Sequence, residues 1–362
     1  MYGAEVLTPN DHPGQQSLDA VDLQAPAFLG CPHGCDGELR PVMPDPLPAP
    51  FDSDTGLECS ECARQFPYVD GVWVMWSDDL KRIQLEAPTP QADLADRIRW
   101  ANVQIYDDIS DDYGEHSDNL MPYREALLFL KALADDLQTR SCAPRIVVDV
   151  GCATGVGLDV GSTAYEQVVG VDISLQNLKA VAAKGYTAVL GDASQLPFAA
   201  GSVDLVTCFA AMHHFPEPEA FVASAQRCLR SGGVLATGCD PSARYGEFST
   251  AAKLVWDARK PAYRFLSNFS ERFYLHKDTA AQELGDLAEY QRTHGGFAPE
   301  WMRSTLRGAG FEAVNVFFGV DPDGSRRFDM PQWKVFLLKA LSMQNPVRRE
   351  NWVSVSSLAR KP

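Results

Sequence analysis

A short glycine-rich turn between two apolar segments is the part of this sequence best suited to hold a ligand. Residues 146–157 read Ile-Val-Val-Asp-Val-Gly-Cys-Ala-Thr-Gly-Val-Gly, and a second apolar run ends in Asp172. Glycines let the chain turn sharply and let a ligand approach the backbone, while the acid can accept both hydroxyls of a ribose. The spacing Gly-x-x-x-Gly-x-Gly differs from the dinucleotide fingerprint Gly-x-Gly-x-x-Gly, so NAD and FAD are disfavoured.

Four cysteines near the start of the chain have the spacing of a metal site. Cys31 and Cys35 form one pair, and Cys59 and Cys62 form the other. Tetrahedral Zn²⁺ takes four soft ligands, and two tight turns supply two thiolates each. Such a small module buries little core, so the metal would supply folding energy. The first pair encloses three residues instead of the usual two, which leaves His33 as an alternative ligand.

Histidines offer candidate general bases. His213 and His214 follow an apolar run at 204–209, and His276 lies in a segment rich in aromatic residues. An imidazole can take up a proton near neutral pH. The alternative for the histidine pair is a local cap or a packing element.

Alternating strands and helices must position these residues. Repeated alternation of this kind predicts an α/β fold, with a parallel sheet covered by helices on both faces. A closing antiparallel hairpin is expected at about 312–319 and 332–339. The strands that form the parallel part are predicted at 146–150, 168–172, 187–190, 204–209 and 233–238.

Composition along the chain predicts five segments. They are a flexible arm at 1–27, the cysteine module at 28–79, a main domain at 80–240 and 297–340, a helical insertion at 241–296 that caps the substrate, and a flexible tail at 341–362. The insertion interleaves aromatic and cationic side chains, which suits a planar or carboxylated small molecule.

Four features of the sequence, taken in chain order, resemble the class I S-adenosylmethionine-dependent methyltransferase family. They are the glycine turn, Asp172, the Gly-Asp-Ala segment at 191–193 and the Ser-Gly-Gly segment at 231–233. The resemblance covers roughly residues 100–340 and implies a Rossmann-like, seven-stranded sheet. It also implies cofactor contacts. These are Asp149, Gly151, Ala153 and Gly155 at the methionine and ribose, Asp172 at the ribose hydroxyls, Ile173 on adenine, Asp192 and Ala193 at its amine, Phe209 beside the methionine, and Tyr106 or Tyr113 as a lid.

The Phe-Pro-Tyr-Val-Asp-Gly stretch at 66–71 resembles the zinc ribbon of the tRNA-methyltransferase activator type. In other proteins that ribbon is fused to methyltransferase domains, including one that acts on ribosomal RNA. Residues 28–79 hold two arginines and ten acidic residues, a net charge of −8 that opposes phosphate binding. We therefore expect a structural ribbon that packs on the catalytic domain or shapes the substrate mouth.

Whole-chain composition narrows the function further. The 362 residues carry a formal net charge of −16, an odd number of cysteines and no apolar run of membrane-spanning length, which together predict a cytoplasmic protein without nucleic-acid or membrane partners. We expect an enzyme that methylates O or N of a small-molecule metabolite in specialised biosynthesis. The alternatives are an rRNA or tRNA base methyltransferase that reads its substrate with the ribbon, and a cofactor-binding protein without transferase chemistry. The acceptor and the oligomeric state are left open.

Overall fold

The computed structural model describes residues 26–108, 110, 146–161, 165–243, 279–318 and 354–362, together with residues 254, 265 and 336. Most of the predicted arm at 1–27 and most of the insertion at 241–296 lie outside these ranges, as do Tyr113 and His276. The strands are β1 (Leu39–Val42), β2 (Gly56–Cys59), β3 (Gln65–Val69), β4 (Val72–Val74), β5 (Ile146–Val150), β6 (Gln167–Asp172), β7 (Thr187–Leu190), β8 (Val203–Phe209), β9 (Leu229–Pro241), β10 (Glu312–Phe318) and β11 (Ser354–Arg360).

Helices flank these strands, and two of them begin at a serine that caps the first turn. Ser174 accepts a hydrogen bond from the amide of Asn177 at 3.2 Å, so this polar residue is the N-cap of the helix that follows. Ser77 caps an earlier helix in the same way. The helices are α1 (Asp78–Leu85), α2 (Leu94–Asp108), α3 (Val156–Gly161), α4 (Leu175–Ala183), α5 (Pro218–Cys228), α6 (Thr279–Ala288), α7 (Tyr290–Thr293) and α8 (Pro299–Gly308). No helix within the described ranges has the length and apolar character needed to cross a membrane.

Seven strands form the predicted Rossmann-like sheet in the order β7-β6-β5-β8-β9-β11-β10. The first five are parallel, and β11 runs antiparallel to both of its neighbours. The strand order reverses at β5, which lies between β6 and β8. At such a reversal the loops leave the carboxyl ends of neighbouring strands in opposite directions and open a crevice. The crevice therefore lies where the glycine turn leaves β5.

The cysteine module extends this sheet instead of forming a separate body. Strand β4 pairs in parallel with β7, with Val74 opposite Leu190, and the amide of Met75 donates to the Leu190 carbonyl at 2.9 Å. One apolar core runs continuously from the module into the parallel strands. The boundary predicted at residue 79 thus crosses a single sheet of eleven strands.

The prediction of a flexible tail is wrong for residues 354–360. These residues form β11, which fills the gap between β9 and β10. The segment reads Ser-Val-Ser-Ser-Leu-Ala-Arg and looks too polar for an inner strand, but buried hydroxyls are tolerated when they are hydrogen-bonded. The hydroxyls of Ser357 and Thr237 lie 2.8 Å apart. Strand β11 is thus the described partner of β10, and the predicted strand at 332–339 lies outside the described residues except for Phe336.

Candidate functional site

A cavity opens at the carboxyl ends of β5 to β8, beneath α2. Its walls come from the loops after these strands and from one face of the helix. Among the residues predicted to contact the cofactor or to act in catalysis, those that line it are Tyr106, Gly151, Ala153, Asp172, Ile173, Asp192, Ala193, Phe209 and His214. The structure thus brings together side chains that are more than 100 positions apart in the sequence.

The glycine turn fits closely against the loop after β8. A Cβ on Gly151 would lie 2.4 Å from the Cβ of Ala211, and Gly151 has a φ of +71°, a conformation that side chains disfavour. Ala153 adopts a positive φ of +46° although it carries a methyl group. Gly155 shapes the same turn, with a φ of +82°, but lies outside the cavity wall.

Asp149 lies outside the cavity wall as well. It accepts a hydrogen bond from the hydroxyl of Thr207 at 2.7 Å, beneath the turn. Burial raises the pKa of this carboxyl to about 7. Asp149 therefore supports the turn from below.

Asp172 sits at the end of β6 with its carboxylate fixed by two backbone amides. One oxygen accepts from Ala153 at 2.8 Å and the other from Ser174 at 2.9 Å. Burial raises the pKa of this carboxyl to about 6. Because each carboxylate oxygen has two acceptor sites, both oxygens keep capacity for the two hydroxyls of a ribose.

Arg99 forms the cationic part of the wall, and sequence reasoning missed it. The residue lies on α2 and is 7% exposed. Its Nε donates to Asp192 at 2.5 Å and an Nη donates to Glu217 at 2.9 Å. The signal was an arginine four residues before the buried Val103, and therefore on the same face of the helix.

Tyr106 and His214 form a hydrogen bond across the cavity rim, and its direction follows from the partners. His214 Nδ1 lies 2.9 Å from the Ala288 carbonyl, which only accepts, so Nδ1 carries the hydrogen. Burial and the neighbouring His213 lower the pKa of His214 to about 3, so the ring is neutral. Its Nε2 therefore accepts from the Tyr106 hydroxyl at 3.0 Å.

His213 is buried behind the cavity and, unlike His214, does not line its wall. Its Nδ1 lies 2.9 Å from an oxygen of Asp240, a fully buried carboxylate that also accepts from the His213 amide at 3.1 Å. The opposite nitrogen, Nε2, lies 3.5 Å from Glu289. Asp240 therefore orients the ring through Nδ1, and Nε2 faces the carboxylate of Glu289.

The side chains of His213, His214 and Glu289 bring potential metal-ligand atoms within 4.8 Å of one another. Both nitrogens of His214 already form hydrogen bonds, and Arg292 donates to the Glu289 oxygen at 3.2 Å. The cluster thus offers fewer than the three protein ligands typical of a catalytic zinc site. Its arrangement suits proton transfer better than metal binding.

The four predicted cysteine ligands form a second cluster at the start of the sheet. Their sulfur atoms all lie within 4.8 Å of one another, and those of Cys31 and Cys62 are 3.7 Å apart. Two sulfurs about 2.3 Å from one tetrahedral ion would be about 3.8 Å apart, so the spacing fits zinc. His33 is not part of the cluster, and its Nε2 lies 3.9 Å from Asp78. The geometry therefore favours the four cysteines over the alternative with His33.

Comparison with known proteins gives one domain match. Residues 148–237 match the family described as "Methyltransferase domain". This segment contains the glycine turn, both acids of the cavity and the two histidines.

Three curated relatives place this match in context. A probable S-adenosylmethionine-dependent methyltransferase of Mycolicibacterium smegmatis is 34% identical over 26% of this chain and 37% of its own. A demethylmenaquinone methyltransferase of Renibacterium salmoninarum is 30% identical over 41% of this chain and 70% of its own. A tRNA (carboxymethyluridine(34)-5-O)-methyltransferase of Mus musculus is 30% identical over 36% of this chain and 18% of its own. The chain thus spans less than two fifths of the length of the first and third relatives.

Proposed function

The chain belongs to the class I S-adenosylmethionine-dependent methyltransferase family, and we propose that it methylates an oxygen or nitrogen of a small-molecule metabolite in specialised biosynthesis. The observation that carries this proposal is the composition of the cavity wall. Arg99 is its only lysine or arginine among the described residues, and three carboxylates, those of Asp96, Asp192 and Glu217, already pair with it. Binding to RNA depends on cations that are free to neutralise phosphates. A small acceptor needs no such surface.

The cavity residues suggest how the cofactor is oriented. We assign its methionine end to Gly151, Ala153 and Phe209, and its ribose hydroxyls to Asp172. Adenine would lie near Ile173 and Ala193, with its amine toward Asp192, while Tyr106 closes the opening from α2. When bound, S-adenosylmethionine supplies an electrophilic methyl group on its sulfonium sulfur. The protein's part is to align the acceptor atom in line with that group.

We assign removal of the acceptor proton to His213. A hydroxyl acceptor must lose a proton as its new bond to carbon forms, and an ammonium group must lose one before its nitrogen can attack. Nε2 of His213 would take up that proton, and Asp240 behind the ring would stabilise the imidazolium that results. His214 is assigned a different task. It stays neutral and positions the Tyr106 hydroxyl, since its pKa lies far below neutrality.

We further propose that the four cysteines hold a structural Zn²⁺ in a ribbon of the activator type. We also propose that the protein is cytoplasmic. Free thiols at all eight described cysteines agree with a reducing compartment. The ribbon supports the site through two connections. Strand β4 pairs with β7, which leads to Asp192, and Gln84 on α1 donates to the Ile173 carbonyl at 2.7 Å. Metal loading would thereby stabilise the adenine end of the cavity.

A label-transfer experiment tests the acceptor class. The purified chain is incubated with S-adenosylmethionine that carries a radioactive methyl group, together with either small metabolites or total RNA from the same cells. We expect label in the metabolite fraction, and none with Asp172→Asn. The control Asp286→Asn alters an exposed carboxylate on α6 and should match the unmodified chain. Label in RNA, reduced by salt, would support the tRNA or rRNA alternative and contradict the proposal.

A further inference from the structure

Arg99 occupies a position where an unpaired cation would be strongly unfavourable. It is buried in the cavity wall, and a buried charge requires partners that replace water. Asp192 and Glu217 supply two carboxylates at 2.5 and 2.9 Å. Asp192 follows β7 and Glu217 precedes α5, so one guanidinium joins two loops of the cavity. The question is what this connection does for the ligand.

Asp192 has most of its hydrogen-bonding capacity already in use. One oxygen accepts from both the amide and the hydroxyl of Ser194, each at 2.8 Å, and the other accepts from Arg99. An ionised carboxylate has about four acceptor sites. Three donors from the protein therefore fix the plane of the group and leave about one site for a donor in the cavity.

We propose that Arg99 is a positioning residue that aims the remaining acceptor site of Asp192 at the 6-amino group of adenine. The inference rests on the proposed assignment of Asp192 to that amine. It adds a specificity: the pocket should select a 6-amino purine over a 6-oxo purine. The oxo group accepts hydrogen bonds and would face a carboxylate, which also only accepts them. A site that leaves a buried polar group without a partner binds such a ligand much more weakly.

Lysine cannot substitute for this arginine. The planar guanidinium fork reaches two carboxylates at fixed angles, whereas an ammonium group is a flexible point charge. With Arg99→Lys, the charge remains but the direction of the Asp192 carboxylate is no longer fixed. The variant thus separates orientation from charge neutralisation.

Calorimetric titration measures this selectivity. S-adenosylhomocysteine and its 6-oxo analogue, S-inosylhomocysteine, are titrated into the unmodified chain and into Arg99→Lys, Arg99→Met, Asp192→Asn and the control Arg97→Met. Arg97 lies on the same helix but outside the cavity wall. We expect the unmodified chain and the control to prefer the amino ligand by about tenfold to a hundredfold, or about 1.4 to 2.8 kcal/mol. Both Arg99 variants should reduce the ratio of the two ligand affinities at least threefold, and Asp192→Asn should bind the two ligands equally.

The ratio distinguishes a positioning role from a structural one, because loss of stability alone weakens both ligands equally. If Arg99→Met fails to fold, Arg99→Lys and the double variant Arg99→Met/Asp192→Asn, which carries no unpaired buried charge, replace it. An unchanged ratio in the Arg99 variants together with a lost ratio in Asp192→Asn would overturn the role of Arg99. An unchanged ratio in Asp192→Asn would instead overturn the assignment of Asp192. If the unmodified chain bound neither ligand, the cofactor site itself would be wrong.

Discussion

Replacing His214 by glutamine should change how the stability of the chain depends on pH. His214 titrates with a pKa of about 3 when folded, against an ordinary value of 6.5. As the pH falls below 6.5, the unfolded imidazole binds a proton that the folded one does not, so acid favours unfolding. Between these two pKa values, each pH unit lowers the free energy of unfolding by about 1.4 kcal/mol. The decrease is complete near pH 3. Between neutral pH and pH 5 the loss is about 2 kcal/mol.

Glutamine keeps a donor and an acceptor but does not titrate. We therefore expect the free energy of unfolding, measured with urea, to fall between pH 7.5 and pH 5 by about 2 kcal/mol less in His214→Gln than in the unmodified chain. Asp149 and Asp172 have raised pKa values, so they make folding less favourable as the pH rises. Both proteins carry them, and the comparison between the two proteins removes their contribution.

His294→Gln is the matched control, since His294 is exposed on the surface. It should follow the unmodified chain at both pH values. Equal losses of stability in the unmodified chain and His214→Gln would refute the neutral, buried state of His214. The assignment of His214 to a neutral role that positions the Tyr106 hydroxyl would then lose its support.

Three further substitutions test other parts of the site. Cys59→Ser removes one of four clustered thiols and should reduce bound zinc from one per chain to none by elemental analysis, with a melting temperature lower by roughly 5 °C or more, as expected for loss of a structural metal. Asp240→Asn removes the charge behind His213 and should slow methyl transfer about 100-fold without changing S-adenosylhomocysteine affinity. Gly151→Ala should weaken S-adenosylhomocysteine binding at least tenfold in calorimetry, whereas Gly185→Ala, in open space at φ +85°, should not.

Each of these tests has a contradicting result. Zinc retained by Cys59→Ser at the level of Cys228→Ser, a buried cysteine outside the cluster, would argue against the ribbon. Methyl transfer at an unchanged rate in Asp240→Asn would exclude His213 as the base. Equal cofactor affinity in the two glycine variants would show that close contact with the β8 loop does not shape the site.

The sequence was sufficient to locate most of the cavity wall because those residues follow predictable strands. Parallel strands place their carboxyl ends along one edge of the sheet, so acids and glycines after 146–150, 168–172 and 187–190 must meet there. The contact of Asp149 with a ligand stays a prediction, because the direction of its side chain depends on the hydroxyl of Thr207 from another strand.

Features that depend on distant partners could not be predicted in the same way. Arg99 finds Asp192 and Glu217 across gaps of 93 and 118 residues, and no local pattern specifies those pairs. The polar strand β11 is stable inside the sheet only because Thr237 meets Ser357. Likewise, the pairing of β4 with β7 depends on two apolar edges that are separate in the sequence.

We propose that the cavity beneath α2 holds the cofactor through the carboxylate of Asp172. The most direct measurement is a calorimetric titration of S-adenosylhomocysteine into the unmodified chain and into Asp172→Asn. We predict one site per chain, and an affinity about 30-fold or more weaker in the variant, because charged hydrogen bonds to two ribose hydroxyls are lost. Equal affinity in the two proteins, or no binding to the unmodified chain, would contradict it.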